Sequence, residues 1–258
     1  MSINAPSMPV KEIIVTTSWD DGHPLDLRIA ELLSKYGLKG TFYIPASNSE
    51  HTVMNKAEML EISSQFEIGG HTKNHVDLTR IPADGIFEEI IAGKEIVEDA
   101  IGRTLSMFCY PRGHYNELIK EQVKRAGFRG ARSASWFHSE YPDDIYCMHP
   151  TLHIYPHSAL VHTGHLLKEM NFMELADYLL YAKGMSDLKS LSARWLKRII
   201  SDGGILHIWG HSWEIEEFQL WSELESIVSH IAQFKNILHL TNGDIVQNRE
   251  LHGNADKI

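Results

Sequence analysis

The sequence predicts an α/β fold, a distorted seven- or eight-stranded β/α barrel, and three observations lead there. Short apolar, β-branched runs alternate with longer segments of helical period along most of the chain. Strands separated by helices pair in parallel through right-handed crossovers, and this many units favour a closed or nearly closed barrel. No internal repeat, low-complexity tract or linker rich in Gly, Ser or Pro divides the 258 residues, so one domain over residues 1–258 is expected.

The elements follow in order. Glu12 to Thr17 reads as a buried strand and Pro24 to Tyr36 as a helix closed by Gly37, since glycine takes the left-handed conformation that ends a helix. Lys39 to Ile44 is the second strand, Asn55 to Gln65 a helix, Phe66 to Gly69 a short strand, and Ala83 to Ile101 a long helix ended by Gly102. Ser106 to Tyr110 is a strand, Asn116 to Ala126 a helix stopped by Gly127, and Phe128 to Ser133 a strand. From Trp136 to His165 the pattern loosens among Pro and His residues, with one short strand at His149 to Ile154, as in a loop flanking a site. Helices at His165 to Lys183 and Asp187 to Ser201 precede the strand Gly204 to Trp209, a helix from Glu216 to Phe234 and a last strand, Asn236 to Leu240. The tail from Gly253 to Ile258 is expected to fray.

Composition narrows the function classes. Hydrophobic residues make up 43% and charged residues 22%, the balance of an ordinary globular protein. A formal charge of -10 and a pI near 5.9 oppose phosphate backbones and anionic lipid, so nucleic acid is not an expected partner. Cys109 and Cys147 lack C-x-x-C spacing and are read as buried thiols. Neither a basic leader with a long apolar run nor a stretch near 18 apolar residues occurs, so no integral membrane segment and a cytoplasmic location are expected. Nothing in the sequence sets an oligomeric state.

Sixteen His residues are many for this length, several in H-x-H or H-x3-H spacing, and three polar clusters collect at predicted strand ends. Asp20 and Asp21 in SWDDG, residues 18 to 22, could divide the tasks of ligand and base; alone they read equally well as a cap before the helix at Pro24. His71 and His75, four residues apart after the third strand, suit one shared ion, or a turn capped by two surface histidines. His207, Trp209, His211 and Trp213 crowd the end of a late strand. An imidazolium there could protonate a leaving group and the indoles could pack on sugar C–H faces, or the Trp pair could be core. All three clusters fall on one rim of the barrel, where such folds carry their sites. Two imidazoles and a carboxylate with an open position suit a divalent ion, zinc first, with cobalt, nickel or iron as alternatives.

In this order the three clusters resemble the motifs of the polysaccharide deacetylase family, also called the NodB-homology or carbohydrate esterase 4 group, whose members fold as distorted β/α barrels. The likeness spans about Val15 to Glu214. It implies Asp20 as general base, Asp21, His71 and His75 as metal ligands, and Phe108 to Gly113 as the third motif, with the Tyr110 main-chain N–H at the oxyanion. Cys109 stands where many members have an Arg that orients the base, and Arg132 at the end of the next strand is the expected substitute. HSWE at 211 to 214 is similar to an H-P-W-E form of the last motif, making His211 the acid and His207 the alternative. The family's aromatic wall is not clearly matched, although Trp136 lies in a suitable region.

The resemblance implies hydrolysis of an N-acetyl amide on a carbohydrate, with Tyr110, Arg132, Trp209 and Trp213 around the substrate. With a cytoplasmic location, the expected substrate is a sugar nucleotide, lipid-linked intermediate or polysaccharide precursor of surface polysaccharide (O-antigen) assembly. The alternatives are a deformylase or amidase acting on another small acyl amide, and a catalytically silent carbohydrate-binding homologue.

Overall fold

The computed structural model describes residues 12–157 and 187–253. Eight strands, β1 (Ile13–Asp20), β2 (Thr41–Ile44), β3 (Glu67–Gly70), β4 (Met107–Cys109), β5 (Gly130–Arg132), β6 (Leu152–His153), β7 (Gly204–Gly210) and β8 (Leu238–His239), make one sheet in which every pair is parallel. Its order is β5-β4-β3-β2-β1-β7-β6, with β8 beside β1 off this path. β7 pairs with β1 from Ile13 to Trp19; on the other edge β8 takes Ile14 and Val15 while β2 takes Ser18 to Asp20. Residues 145–151 partly close the ring: Met148 bridges Arg132 of β5, and the Thr151 N–H donates to His207 of β7 at 2.8 Å. The result is the distorted β/α barrel that the alternation of elements predicts.

Strand alternation sorts the side chains. Val15 and Trp19 of β1 join the main core against the helices, with Phe42 and Ile44 of β2, Phe108 of β4, and Leu206 and Ile208 of β7. The opposite set, Ile14, Tyr43, Met107, Cys109 and Ile205, faces a second cluster, closed off by Ile245 and Val246. That interior is apolar at one end and polar at the other, where Asp20, Arg132 and His207 lie buried. β1 therefore runs three residues further than its apolar run suggests, because Ser18 and Asp20 are interior strand residues rather than loop.

The helices are α1 (Asp26–Tyr36), α2 (Lys56–Ser63), α3 (Ala83–Ile101), α4 (Glu117–Arg125), α5 (Leu188–Asp202), α6 (Ser212–Glu217), α7 (Trp221–Ile231) and α8 (Asn242–Gly253). Gly37 and Gly102 close α1 and α3 at φ 71° and 68°, as expected. The single helix expected from Glu216 to Phe234 is instead two, separated at Gln219, which sits at φ 55°. α8 was not anticipated; the Glu67 carboxylate receives the Gly243 N–H at 2.9 Å near its start. The helix expected at His165 to Lys183 lies outside the described residues. Cys109 is buried and Cys147 partly so. No helix among the described residues is long and apolar enough to cross a membrane.

Candidate active site

The site forms where β1, β3, β4 and β7 end. Asp20 is the last residue of β1 and points into the barrel; Asp21 turns at φ 76°. After β3, Thr72 and His75 also take left-handed backbone angles, φ 66° and 53°. A side chain at positive φ costs energy unless its surroundings impose it, and such residues gather at functional sites. The surroundings here are specific: Ala46 and Ser47 N–H groups donate to the Thr72 and Lys73 carbonyls, and the Lys73 N–H donates to Glu89 of α3. Gly93 lets α3 approach this turn, for a Cβ there would lie 2.4 to 2.6 Å from the Thr72–Lys73 backbone.

Asp21, His71 and His75 converge, their ligand atoms all within 4.8 Å of one another. Trp213 Nε1 donates to Asp21 Oδ2 at 2.9 Å and fixes the carboxylate. Among the described residues no hydrogen bond reaches the buried Oδ1. Instead it faces Nε2 of His75 at 3.0 Å and of His71 at 3.7 Å. The His71 Nδ1–H donates to the Cys109 carbonyl at 2.8 Å, which leaves its Nε2 lone pair directed at Asp21. Burial holds both imidazoles below their usual pKa and therefore neutral. An orphaned carboxylate oxygen facing two neutral imidazoles fits a divalent cation. A second grouping, Asp20, His71 and Cys109, fits less well: burial pushes the Cys109 thiol well up, and Asp20 is already paired.

Asp20 Oδ1 is bonded by Arg132 Nη2 from β5, the contact expected from sequence, and the Cys109 sulfur lies 3.6 Å from Asp20 Oδ2. Arg132 is fully buried between the rings of Tyr43 and Trp209, 5.4 and 4.9 Å from its Cζ. Burial alone would raise the Asp20 pKa, but Arg132, with smaller contributions from His71 and His211, holds it below its ordinary value. The carboxylate is thus ionised.

Across the cavity, the His211 Nδ1–H donates to Glu214 Oε2 at 2.6 Å, and His153 Nε2–H donates to the same oxygen at 3.2 Å. Burial opposes charge on His211, yet the Glu214 hydrogen bond and the carboxylates of Asp21 and Asp20 raise it to about 9. Burial likewise opposes charge on Glu214, and the two histidines still hold it at about 2. Trp209 stacks on His153 with centroids 4.0 Å apart.

These groups meet in a cavity of about 280 Å³ lined by Asp20, Asp21, His71, His75, Trp209, His211 and Trp213, all expected from sequence, and by Glu50, His51, Arg112 and Glu214, which were not. Three expected residues do not line it. His207 is buried behind it, bonded to Ser18 Oγ at 2.8 Å and held at about 3 by burial and by Arg132, so it is a neutral interior residue and not an acid. The Tyr110 N–H donates to the Arg132 carbonyl at 3.1 Å in the sheet, which removes it as an oxyanion donor, and its hydroxyl is spent on Tyr146. Arg132 lies beneath the cavity on Asp20. Trp213 stacks on His51 at 4.0 Å, so one indole face is covered. Trp136, the wall candidate, stacks on His157, which hydrogen-bonds His153. Glu214 carried a signal in its i+3 spacing from His211 and Arg112 in its place within the third motif, whereas Glu50, 62 residues from Arg112, carried none.

Comparison with known proteins points to one family. The family model for polysaccharide deacetylases matches residues 7–131. Curated relatives include the peptidoglycan-N-acetylmuramic acid deacetylase of Bacillus subtilis, 27% identical over 124 residues covering 46% of each chain. A peptidoglycan-N-acetylglucosamine deacetylase of Bacillus cereus is 25% identical over 124 residues, 47% of this chain and 57% of that one. The chain thus spans about half the length of the curated relatives it matches. A family 4 acetyl xylan esterase from Clostridium thermocellum, solved with a cobalt ion, has the same fold, with a TM-score of 0.55, 15% identity and 92% of both chains covered. With SWDDG and HTKNH inside the matched residues and the barrel built around them, the first half of the chain matches the polysaccharide deacetylase family, and the fold is NodB-like.

Proposed function

We propose that the chain is a metal-dependent carbohydrate deacetylase, a hydrolase that removes an N-acetyl group from a sugar. The observation that carries this reading is Asp21 Oδ1, buried without a hydrogen bond and facing two neutral imidazoles, in one cavity with an ionised carboxylate and a protonated histidine. Asp21, His71 and His75 would hold the ion, zinc first by donor set, with cobalt, nickel or iron as alternatives. A divalent ion there supplies Lewis-acid polarisation of an acyl carbonyl and of water.

The chain's own residues do the rest. Asp20, ionised and oriented by Arg132, accepts the proton of an attacking water. His211, its Nδ1–H committed to Glu214, presents Nε2–H to the leaving sugar nitrogen, so that the amine departs neutral. Trp209 and Trp213 wall the cavity on either side of His211. Cys109 in the place of the motif's Arg favours a silent carbohydrate-binding homologue, and the Arg132–Asp20 contact, made from another strand, counts against that alternative.

The names of the curated relatives favour an N-acetylated peptidoglycan sugar as substrate, and the sequence favours a precursor of surface polysaccharide assembly, O-antigen among them. Both belong to one class, an N-acetylhexosamine. The test is elemental analysis of the purified protein together with acetate release from N-acetylated sugars, before and after chelation. Acetate release that a chelator abolishes and zinc or cobalt restores supports the proposal. Stoichiometric metal with formate release alone moves the reading to a deformylase, and a protein that binds no divalent metal sinks it.

A further inference from the structure

The mouth of the cavity carries a charge arrangement that the hydrolytic chemistry does not use. Among the described residues lining it, Arg112 is the single Arg or Lys. It stands on the tight turn after β4, where Arg112 and Gly113 both have left-handed backbone angles, φ 60° and 71°. That turn cannot draw back: the Gly113 N–H donates to the Tyr110 carbonyl at 2.8 Å, and a Cβ on Gly113 would lie 2.5 Å from Ala134 Cβ. An arginine is poorly suited to such a backbone, where glycine or asparagine is favoured, so its side chain has to account for its presence. The guanidinium reaches across the cavity to Glu50, Nη2 to Oε1 at 2.7 Å, joining the loop after β2 to the loop after β4 over the metal-ligand cluster.

That pair is exposed at both ends, 49% for Arg112 and 51% for Glu50. Exposed ion pairs contribute little to stability, so Glu50 is a partner that an incoming anion can displace at small cost. Guanidinium presents a planar fork that matches phosphate or carboxylate oxygens with two parallel hydrogen bonds. Because Arg112 lines the same small cavity as Asp21, His71 and His75, an N-acyl group held at those three residues would bring the ring substituents next to the amide-bearing carbon within reach of the guanidinium.

We infer that Arg112 receives an oxyanion, phosphate or carboxylate, borne by the acylated sugar beside the scissile amide, and that Glu50 holds the guanidinium in place until it binds; this rests on the deacetylase reading of the cavity. The substrate class is then an anionic N-acylhexosamine rather than a neutral one.

Calorimetric titration of the full chain compares glucosamine 1-phosphate, muramic acid and glucosamine, and acetate release compares their N-acetylated forms. The expected result is a preference of about ten-fold or more in Kd for an anionic sugar over glucosamine, one charge-assisted contact's worth. Arg112→Gln brings that ratio to within about two-fold, Arg112→Lys keeps part of it, and high salt narrows it. Preference for the phosphate alone assigns the anion as phosphate; preference for muramic acid alone assigns it as carboxylate. A wild-type ratio near one, or a ratio unchanged in Arg112→Gln, overturns the inference. Acetate release without any anionic preference removes Arg112's role and leaves the deacetylase; anionic preference without acetate release from any sugar does the reverse.

Discussion

Asp20 and Arg132 are buried together in the barrel, and neither can be removed without stranding the other's charge. Arg132→Met is therefore expected to cost about 3–5 kcal/mol in stability, the range for breaking a buried ion pair from one side. It also removes the group that keeps Asp20 ionised, so turnover falls together with stability; denaturant unfolding and acetate release at one pH check both. Asp20→Asn keeps the shape and tests the base directly, at a stability cost of its own because the buried Arg132 charge is left unpaired. The three atoms that would hold the ion belong to Asp21, His71 and His75, so bound metal is expected to stay stoichiometric while acetate release drops by about 10²–10⁴-fold. Metal loss in Asp20→Asn, measured by elemental analysis, would instead favour the grouping of Asp20 with His71 and Cys109.

At this scale the sequence was informative where function is carried by neighbours in the chain. SWDDG, HTKNH and HSWE each put their residues within a few positions, and seven of the ten expected site residues line the cavity. Arg132 was legible as a partner for Asp20 because the place in the third motif was empty. Tyr110 and His207 were misread for one physical reason: strand alternation decides which groups face the cavity, and a one-dimensional motif does not say which backbone N–H the sheet has already claimed. His153 and Glu214 act through a hydrogen-bond chain that closes only when β6 and β7 pair.

Among the elements, α3 has the most direct bearing on the site, because it supports the turn that carries both histidines. Gly93→Ala places a methyl against main chain that cannot yield, unlike a flexible side-chain tip. The expected loss is about 1–3 kcal/mol from overpacking, with weakened metal binding as the His71–His75 turn is pushed outward. Gly85→Ala in the same helix is the control: nothing lies nearer than 3.9 Å to a Cβ there, and the gain in helix propensity is up to about 1 kcal/mol. Thermal melts and zinc titrations of the two variants should move in opposite directions for stability, and only Gly93→Ala should lose affinity. Equal behaviour of the two would show that α3 does not set the turn.

Element types and ends were legible where caps are local. Asn55 accepts from the Ala57 and Glu58 N–H groups to start α2, Asn116 caps α4, Asp187 caps α5, and Gly37 and Gly102 end their helices. The break between α6 and α7 was not, since Glu216 to Phe234 keeps a helical period across Gln219 and no Gly or Pro marks the stop. α8 was missed although its start carries a local signal, the reciprocal cap in which the Thr241 hydroxyl accepts the Asp244 N–H at 3.1 Å and the Asp244 carboxylate accepts the Thr241 N–H at 3.0 Å; only its anchorage to Glu67, Thr41 and Ser106 is distant in the chain.

For the molecule as a whole, alternating strands and helices were enough for the parallel barrel, but not for the polar interior that links its parts. Glu214 sits at the junction of that interior with the cavity, taking hydrogen bonds from histidines on β6 and just beyond β7, so its ionisation contributes to global stability. Its folded pKa of about 2 lies below the ordinary glutamate value of 4.5, hence the contribution is fully present above about pH 4.5 and is lost as pH falls through about 2. From the size of that shift the contribution is about 3 kcal/mol at most. Glu214→Gln removes the titration while keeping the shape. The stability difference between wild type and Glu214→Gln, from urea unfolding, should therefore be largest near pH 6 and smaller by roughly 1 kcal/mol near pH 3.5. A difference that stays constant over this range would mean that Glu214 contributes by packing and not by charge, and the hydrogen-bonded pair with His211 would then need another source for its proton.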